Sequence, residues 1–473
     1  MALSGLDAYN LHFVYVVSHS PFLTFCSKKV KMVAASTKNI HRLKSSMRLS
    51  SVVPGKVTGR KVHELTNMDL AMKLHYIKGV YFFNGDAVEG LTVFDLKKPM
   101  FIHFLPLYFV AFGRIRRSET GRPFITCNDG GVRIVEARCD ETVDEWLAMA
   151  VEDDSTFDGL AYNRALGETG LDFSPLVFIQ FTWFKCGGMS VGISWANVLG
   201  DAFSASTFIN HWGKAMAGLV PHKSLHEPDR PAKSEPPLSV LPNLIPDSVK
   251  RVDSIGDLWF TPNNCKMKTH TFHVQVEKIN HFLSNQRSKV SAFEVLSAII
   301  WKALSKIKED PEETRMVTLC TNKFHETEFE FPSNGMVWST VKADFWVAEA
   351  EVSELVELIL NKREDENGMI EEMMGNNESG EKSTDFIIYG AKLTFVNLEE
   401  IEIYGLELRG QKPVYANYSI DGVGDEGVVL VLPGPKCGKE GDGVNGDRSV
   451  TVVMPENQLA QLKVELKRNW SIA

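Results

Sequence analysis

Asn197 and Asp201, four residues apart in Ser194-Trp-Ala-Asn-Val-Leu-Gly-Asp201, are the first side chains in this sequence to weigh for chemistry. A carboxamide both donates and accepts hydrogen bonds, so Asn197 can hold a carbonyl or fill a polar core position. Its nitrogen has no lone pair available near neutral pH, so it cannot take a proton from an attacking alcohol or amine as imidazole can. Asp201 directly precedes a run in which Phe203, Phe208, Ile209, Trp212, Met216 and Leu219 recur at helical spacing. That place suits a helix N-cap as well as a site carboxylate. His211 stands ten residues past Asp201, nearly three turns along the same helix, and is expected at a surface or interface. Cys186 could in principle accept an acyl group, but no His or acid adjoins it in sequence. An apolar strand end keeps a thiol protonated, so a buried structural thiol is expected. Gly422 and Gly424 read as turn residues; no strand-to-helix G-x-G-x-x-G surrounds them to cradle a phosphate. No metal site is expected.

The elements that must position these residues are legible in outline. Ser174-Pro175 is a turn, Leu176 to Phe184 a buried strand, Gly187-Gly188 a tight turn, and Met189 to Trp195 the returning strand. That strand is expected to deliver Asn197 to a loop at the sheet's edge. Glu141 to Ala150 reads as a helix, and Pro221 to Pro246 holds seven prolines, the best linker in the chain. Beyond it, Thr269 to Val276 is strand-like, and Ser291-Ala-Phe-Glu294 is a capping box opening an apolar helix through Trp301. Arg363 to Lys382 is acidic and rich in Asn and Gly, which predicts a solvated loop. Val428 to Leu432 and Ser449 to Met454 flank a charged tip, Lys436 to Arg448, and Glu456 to Trp470 closes the chain as a helix. The reading is α/β: an N-terminal extension over 1–48, a first domain over 49–220, a Pro-rich crossover over 221–262 and a second domain over 263–473.

Composition excludes several classes. With 44% apolar and 23% charged residues the chain can bury a core without staples. Seven cysteines without a C-x-x-C pair indicate free thiols in a reducing compartment. A formal charge of −9 and the absence of a long basic run argue against nucleic acid. No stretch reaches the roughly 18 to 20 apolar residues of a membrane-spanning helix. Leu11 to Phe25 comes nearest but is interrupted by Ser18, His19, Ser20 and Pro21, and the first 31 residues are expected to be poorly ordered.

Four blocks in order resemble the BAHD family of plant CoA-dependent acyltransferases, from about Leu49 to the C-terminus. They are Leu49-Ser-Ser-Val-Val-Pro-Gly-Lys-Val-Thr-Gly, Lys185-Cys-Gly-Gly-Met-Ser-Val-Gly, Gly200-Asp-Ala-Phe-Ser-Ala-Ser-Thr-Phe-Ile-Asn and Gly422-Val-Gly-Asp-Glu-Gly-Val-Val-Leu-Val. Within the family the chain is most similar to the Eceriferum-like branch linked to cuticular wax. The resemblance implies two chloramphenicol-acetyltransferase-like domains of mixed sheet and helix, joined by a long crossover loop, with an interdomain channel. In active relatives the histidine of a His-x-x-x-Asp signature deprotonates the acceptor there, while the aspartate holds local geometry. Mapped here, Asn197 takes the base position and Asp201 the structural acid, followed by Ala202 where the family usually has glycine. The family's Asp-Phe-Gly-Trp-Gly turn, remote from the acceptor, corresponds to Ile420-Asp421-Gly422-Val423-Gly424, which keeps both glycines.

The function this implies is an accessory of very-long-chain fatty acid elongation for cuticular wax. Its expected partner is a condensing enzyme of the elongase complex, and its expected place the cytosolic face of the endoplasmic reticulum or else the cytoplasm. No cofactor is expected, with acyl-CoA as a substrate or ligand. Two other readings stay open: a CoA-dependent acyltransferase with a relocated or weak base, and a non-catalytic acyl-CoA or lipid-binding protein.

Overall fold

The computed structural model describes residues 47–59, 61–104, 107–152, 157, 159–219, 245–284, 290–322, 331–376, 384–435 and 446–472. Nearly all of the expected N-terminal extension, the Pro-rich stretch up to residue 244 and most of the charged tip after Lys436 lie outside them.

Two sheets organise the two halves. The first has six strands in the order β1 (Arg48–Val52), β6 (Val132–Cys139), β7 (Val177–Phe184), β8 (Met189–Ala196), β3 (Tyr76–Phe83) and β16 (Tyr415–Asp421). Only β6 and β7 run parallel. The second has seven: β10 (Met267–Val274), β18 (Arg448–Pro455), β17 (Val428–Pro433), β15 (Thr394–Asn397), β11 (Met316–Thr321), β12 (Val337–Lys342) and β13 (Glu364–Asp365). Small sheets of β2 (Lys61–Glu64), β5 (Pro123–Cys127) and β4 (Arg114–Arg117), and of β9 (Lys250–Val252) with β14 (Asp385–Ile387), flank them.

The α-helices of five residues or more among the described residues are α1 (Asn67–Ala71), α2 (Val93–Pro99), α3 (Val143–Glu152), α4 (Ala202–Met216), α5 (Val276–Ser284), α6 (Ala292–Ile307), α7 (Val352–Asn361), α8 (Asn367–Asn376) and α9 (Glu456–Trp470). Phe208 and Trp212 of α4 pack on the first sheet through Trp195 and Phe181, with ring centroids 5.1 and 5.6 Å apart. The capping box of Ser291 and Glu294 starts α6, whose apolar stripe fills the second core.

β16 comes from the second half of the chain yet forms the edge of the first sheet, so the two sheets are knit together. Asn417 on β16 donates to Thr271 Oγ1 on β10 at 2.8 Å and accepts from Thr451 Oγ1 on β18 at 2.8 Å. Two expectations need correction. The acidic stretch from Arg363 is not a solvated loop through Asn376: Ile370 and Met374, four residues apart, are buried and hold α8 against α1. Nor does Asn197 leave a sheet edge, because β8 lies between β7 and β3 with every residue buried.

Candidate functional site

The end of β8 enters a tight turn held by backbone hydrogen bonds to neighbouring segments. Tyr76 pairs with Ala196 across β3 and β8, and the Asn197 N–H donates to the His75 carbonyl at 3.0 Å. A 3-10 turn, Asn197–Leu199, follows, and Trp195 Nε1 donates to the Gly200 carbonyl at 2.9 Å. Gly200, at φ 148°, lets the chain double back against Ser333.

Asp201 then caps α4, accepting from Ser204 N at 3.1 Å, and its other oxygen accepts from Gly335 N, also at 3.1 Å. Its own N–H donates to the Ser333 carbonyl at 3.0 Å. Asn334 Nδ2 donates to the Asn197 carbonyl at 2.9 Å and to Asp69 Oδ1 at 3.0 Å. The two readings of Asp201 therefore merge: it is a cap that also fastens a segment of the second half over the turn.

Burial pushes the Asp201 carboxyl up to about 6, against the lowering effect of the N–H groups of Ser204, Gly335 and Phe203. The unfolded chain ionises this group near its ordinary 3.8, so the native state holds the proton longer. Its contribution to stability is thus largest below pH 3.8 and falls as pH rises towards 6, by roughly 3 kcal/mol in all. Asp201→Asn is expected to remove that slope, which denaturant titrations across this pH range would measure.

Asn197 itself is fully buried, as are His75 and Cys320. The Tyr389 hydroxyl lies beside its amide, close enough to Cys320 and Asp201 that burial and those neighbours hold the phenol far above its usual range. Tyr389 is boxed in by His75, edge-on at 5.0 Å between ring centroids, and by Trp338 at 4.8 Å. The neighbour that the Asn197 amide can reach is the Tyr389 hydroxyl, in a contact outside ideal hydrogen-bonding geometry. With zero exposure, the Asn197 side chain borders no water-sized space. The channel expected to reach it is closed at this residue.

The neighbouring imidazoles are poor substitutes for a base. His75 Nε2 accepts from Ile388 N at 3.2 Å and Tyr389 N at 3.4 Å, and the ring lies beside the Gly422 backbone. That arrangement requires the neutral Nδ1–H tautomer, and desolvation lowers its pKa to about 3. Its lone pair is committed to backbone. His211, expected at a surface or interface, is buried instead, with Nδ1 against the Tyr108 hydroxyl and its pKa lowered to about 4 by desolvation. The correction has a packing cause: His211 precedes Trp212 and shares its helix with Phe208, and Tyr108 packs edge-on against Phe208 at 5.0 Å between ring centroids.

Cys186 also departs from expectation. It is exposed, not buried, because the turn after β7 projects it beyond the strand end, where Sγ accepts from Val143 N at 3.4 Å. Gly422 is a left-handed turn residue at φ 75°, but Gly424 has no positive φ. Gly424 is small for another reason: a Cβ there would lie 2.5 Å from the Gly390 carbonyl. Nor is this turn remote from Asn197. Gly424 N donates to the Tyr389 carbonyl at 2.8 Å, and Gly422 faces His75, so both glycines support the residues around the amide.

His75, Asp69, Cys320, Asn334, Trp338 and Tyr389 carried no local signal in the sequence. A β3 assignment pairing Tyr76 with Ala196 would have brought in His75; the others come from non-local packing.

A family model described as the transferase family matches residues 45–468. The chain is 42% identical to the protein ECERIFERUM 2 of Arabidopsis thaliana over 439 residues, which cover 89% of this chain and 97% of that one. Its identity to ECERIFERUM 26 of the same plant is 38% over 433 residues, 90% of this chain and 96% of that one. The crystal structure of F. graminearum TRI101 complexed with ethyl coenzyme A aligns with a TM-score of 0.66 at 14% identity, covering 87% of this chain and 98% of that one. Identity that low speaks for the shared fold alone. With the family model and the ECERIFERUM relatives both aligned along nearly the full length, this chain belongs to the transferase (BAHD) family and sits among its ECERIFERUM-like members.

Proposed function

We propose that this protein promotes very-long-chain fatty acid elongation for cuticular wax as a BAHD-fold accessory of a condensing enzyme, without acyl transfer of its own. Its place of work is the cytosolic face of the endoplasmic reticulum. The observation that carries the reading is Asn197: an amide stands at the position mapped to the family's base, sealed in a dry cluster. His75 commits its Nε2 lone pair to two backbone N–H groups, and His211 sets Nδ1 against the Tyr108 hydroxyl. Loss of a positioned base removes on the order of 10²–10⁴ in rate. The elongation role itself is supported by the resemblance to ECERIFERUM proteins.

Co-expression with a condensing enzyme is expected to lengthen the acyl products, and unchanged products with every such partner would remove the claim. Purified protein given acyl-CoA and alcohol or amine acceptors is expected to release no acceptor-dependent CoA. Asn197→His should leave that result unchanged, since an imidazole at this place is fully buried beside Tyr389. A rise of about 10² or more in CoA release would instead restore the acyltransferase reading.

One observation favours a second reading, a non-catalytic acyl-CoA or lipid-binding protein. The Asn197 amide, whose contact with the Tyr389 hydroxyl falls outside ideal geometry, would gain a full partner if the cluster opened to admit a carbonyl. Calorimetric titration with acyl-CoA, weakened by Asn197→Leu, is the result that reading requires.

A further inference from the structure

Away from the Asn197 cluster, α2 and the π-helical turn Met100–Phe104 present an unusual surface. Phe94, Phe101 and Ile102 are 71, 46 and 42% exposed, while Met100 and Phe104 enter the core. The wider π turn is what sends Phe101 and Ile102 outward together. Spacings of three and four place Phe94, Lys97, Lys98, Phe101 and Ile102 along one ridge. The segment after β1 lies against it: Gly55 N donates to the Phe101 carbonyl at 2.8 Å, and the exposed Lys56 and Val57 follow.

Neither lysine of this ridge makes a direct ion pair among the described residues, although Lys98 lies in the field of Asp95 and Lys97 in that of Glu136. Lys98 is exposed, and Lys97 Nζ reaches no acid but the Ser50 hydroxyl, at 3.1 Å. The nearby acids are Asp95, Asp129 and Glu136. Asp95 is engaged by the N–H and hydroxyl of Thr92, Asp129 accepts from Thr58 N, and Glu136 tends towards Lys97. The exposed Phe173 and Leu258 lie in different company, because Arg116 and Arg117 beside them are matched by Asp172 and Asp257. A neutralised patch of that kind gives no electrostatic pull towards an anionic bilayer.

Exposed rings and a β-branched side chain flanked by lysines are what the headgroup region of an anionic bilayer accepts. The apolar groups enter the acyl boundary while the ammonium groups stay at the phosphates, on stems that snorkel. Because the chain carries −9 overall, such a bilayer repels it at large and admits it by a cationic face. We propose that the ridge of Phe94, Lys97, Lys98, Phe101 and Ile102, with Lys56 and Val57 beside it, seats this protein on an anionic lipid surface. The inference rests on the peripheral membrane location proposed above and names the surface that achieves it.

The test is co-sedimentation of the full chain with phosphatidylcholine vesicles with and without phosphatidylserine. Wild type is expected to bind the anionic vesicles, Phe94→Ser with Phe101→Ser to weaken binding on the order of tenfold or more, and Lys97→Glu with Lys98→Glu to abolish the preference for phosphatidylserine. Circular dichroism melts matching wild type show that the variants fold. Vesicle binding unaltered in both variants overturns the proposal, as does equal binding to neutral and anionic vesicles. If those variants bind vesicles normally but lose product lengthening with a condensing enzyme, the ridge belongs to a protein contact and the lipid seat is rejected. Failure of the elongation reading is separate: acyl products unchanged by wild type whose vesicle binding is intact.

Discussion

Gly422→Ala is expected to destabilise the protein by roughly 4 kcal/mol or more, enough to strip soluble protein from an expressing cell. Two independent penalties meet at this residue. A φ of 75° costs an L side chain about 1–2 kcal/mol. The added Cβ would also lie 2.1 Å from the Leu74 carbonyl oxygen, a contact that only a backbone shift can relieve. Leu74 immediately precedes His75, so the shift would travel into the wall around Asn197. Gly410→Ala separates the two effects, since it has φ 74° and nothing near the new methyl. It should lose the backbone term alone. The comparison is made in urea denaturation midpoints of the purified variants, and an equal loss at both sites would refute the packing half of the argument.

The sequence exposed those parts of the structure that local physics specifies. β7 and β8 were legible because apolar runs bounded by Ser174-Pro175 and Gly187-Gly188 admit few other conformations. Asp201 was legible as a cap because a short acceptor before a helical stripe satisfies free N–H groups. What was lost is what needs two distant segments at once. Asp201 holding Gly335, Asn334 bridging Asn197 and Asp69, and Tyr389 leaning on His75 join partners up to 314 positions apart in the chain. The burial of His211 fails for a similar reason, since Tyr108, its partner, is 103 residues away. Cys186 was misread because apolar flanks describe the strand but not how far the turn carries its tip. The helix α8 was masked by its acidic composition, although Ile370 and Met374 already stood one helical repeat apart.

His75→Ala is expected to cost roughly 4 kcal/mol, because it leaves the N–H groups of Ile388 and Tyr389 without an acceptor and opens a void beside the Tyr389 ring. His75→Gln retains an acceptor oxygen and should recover a substantial part of that loss. The pair also isolates a titration. In the folded protein desolvation lowers the His75 pKa from 6.5 to about 3, so the native imidazole stays neutral while the unfolded one charges. Stability from this group is fully present above pH 6.5 and is lost as pH falls towards 3, at about 1.4 kcal/mol per pH unit. Asp201 works in the opposite direction between 3.8 and 6, partly masking the slope in wild type. The difference between wild type and His75→Gln cancels Asp201 and should change by that full amount per pH unit; a difference independent of pH would show that the imidazole is not held neutral. Function then distinguishes positioning from catalysis. A histidine whose lone pair serves two backbone donors can be replaced by glutamine without loss of elongation once the chain is folded, whereas a histidine that took a substrate proton could not.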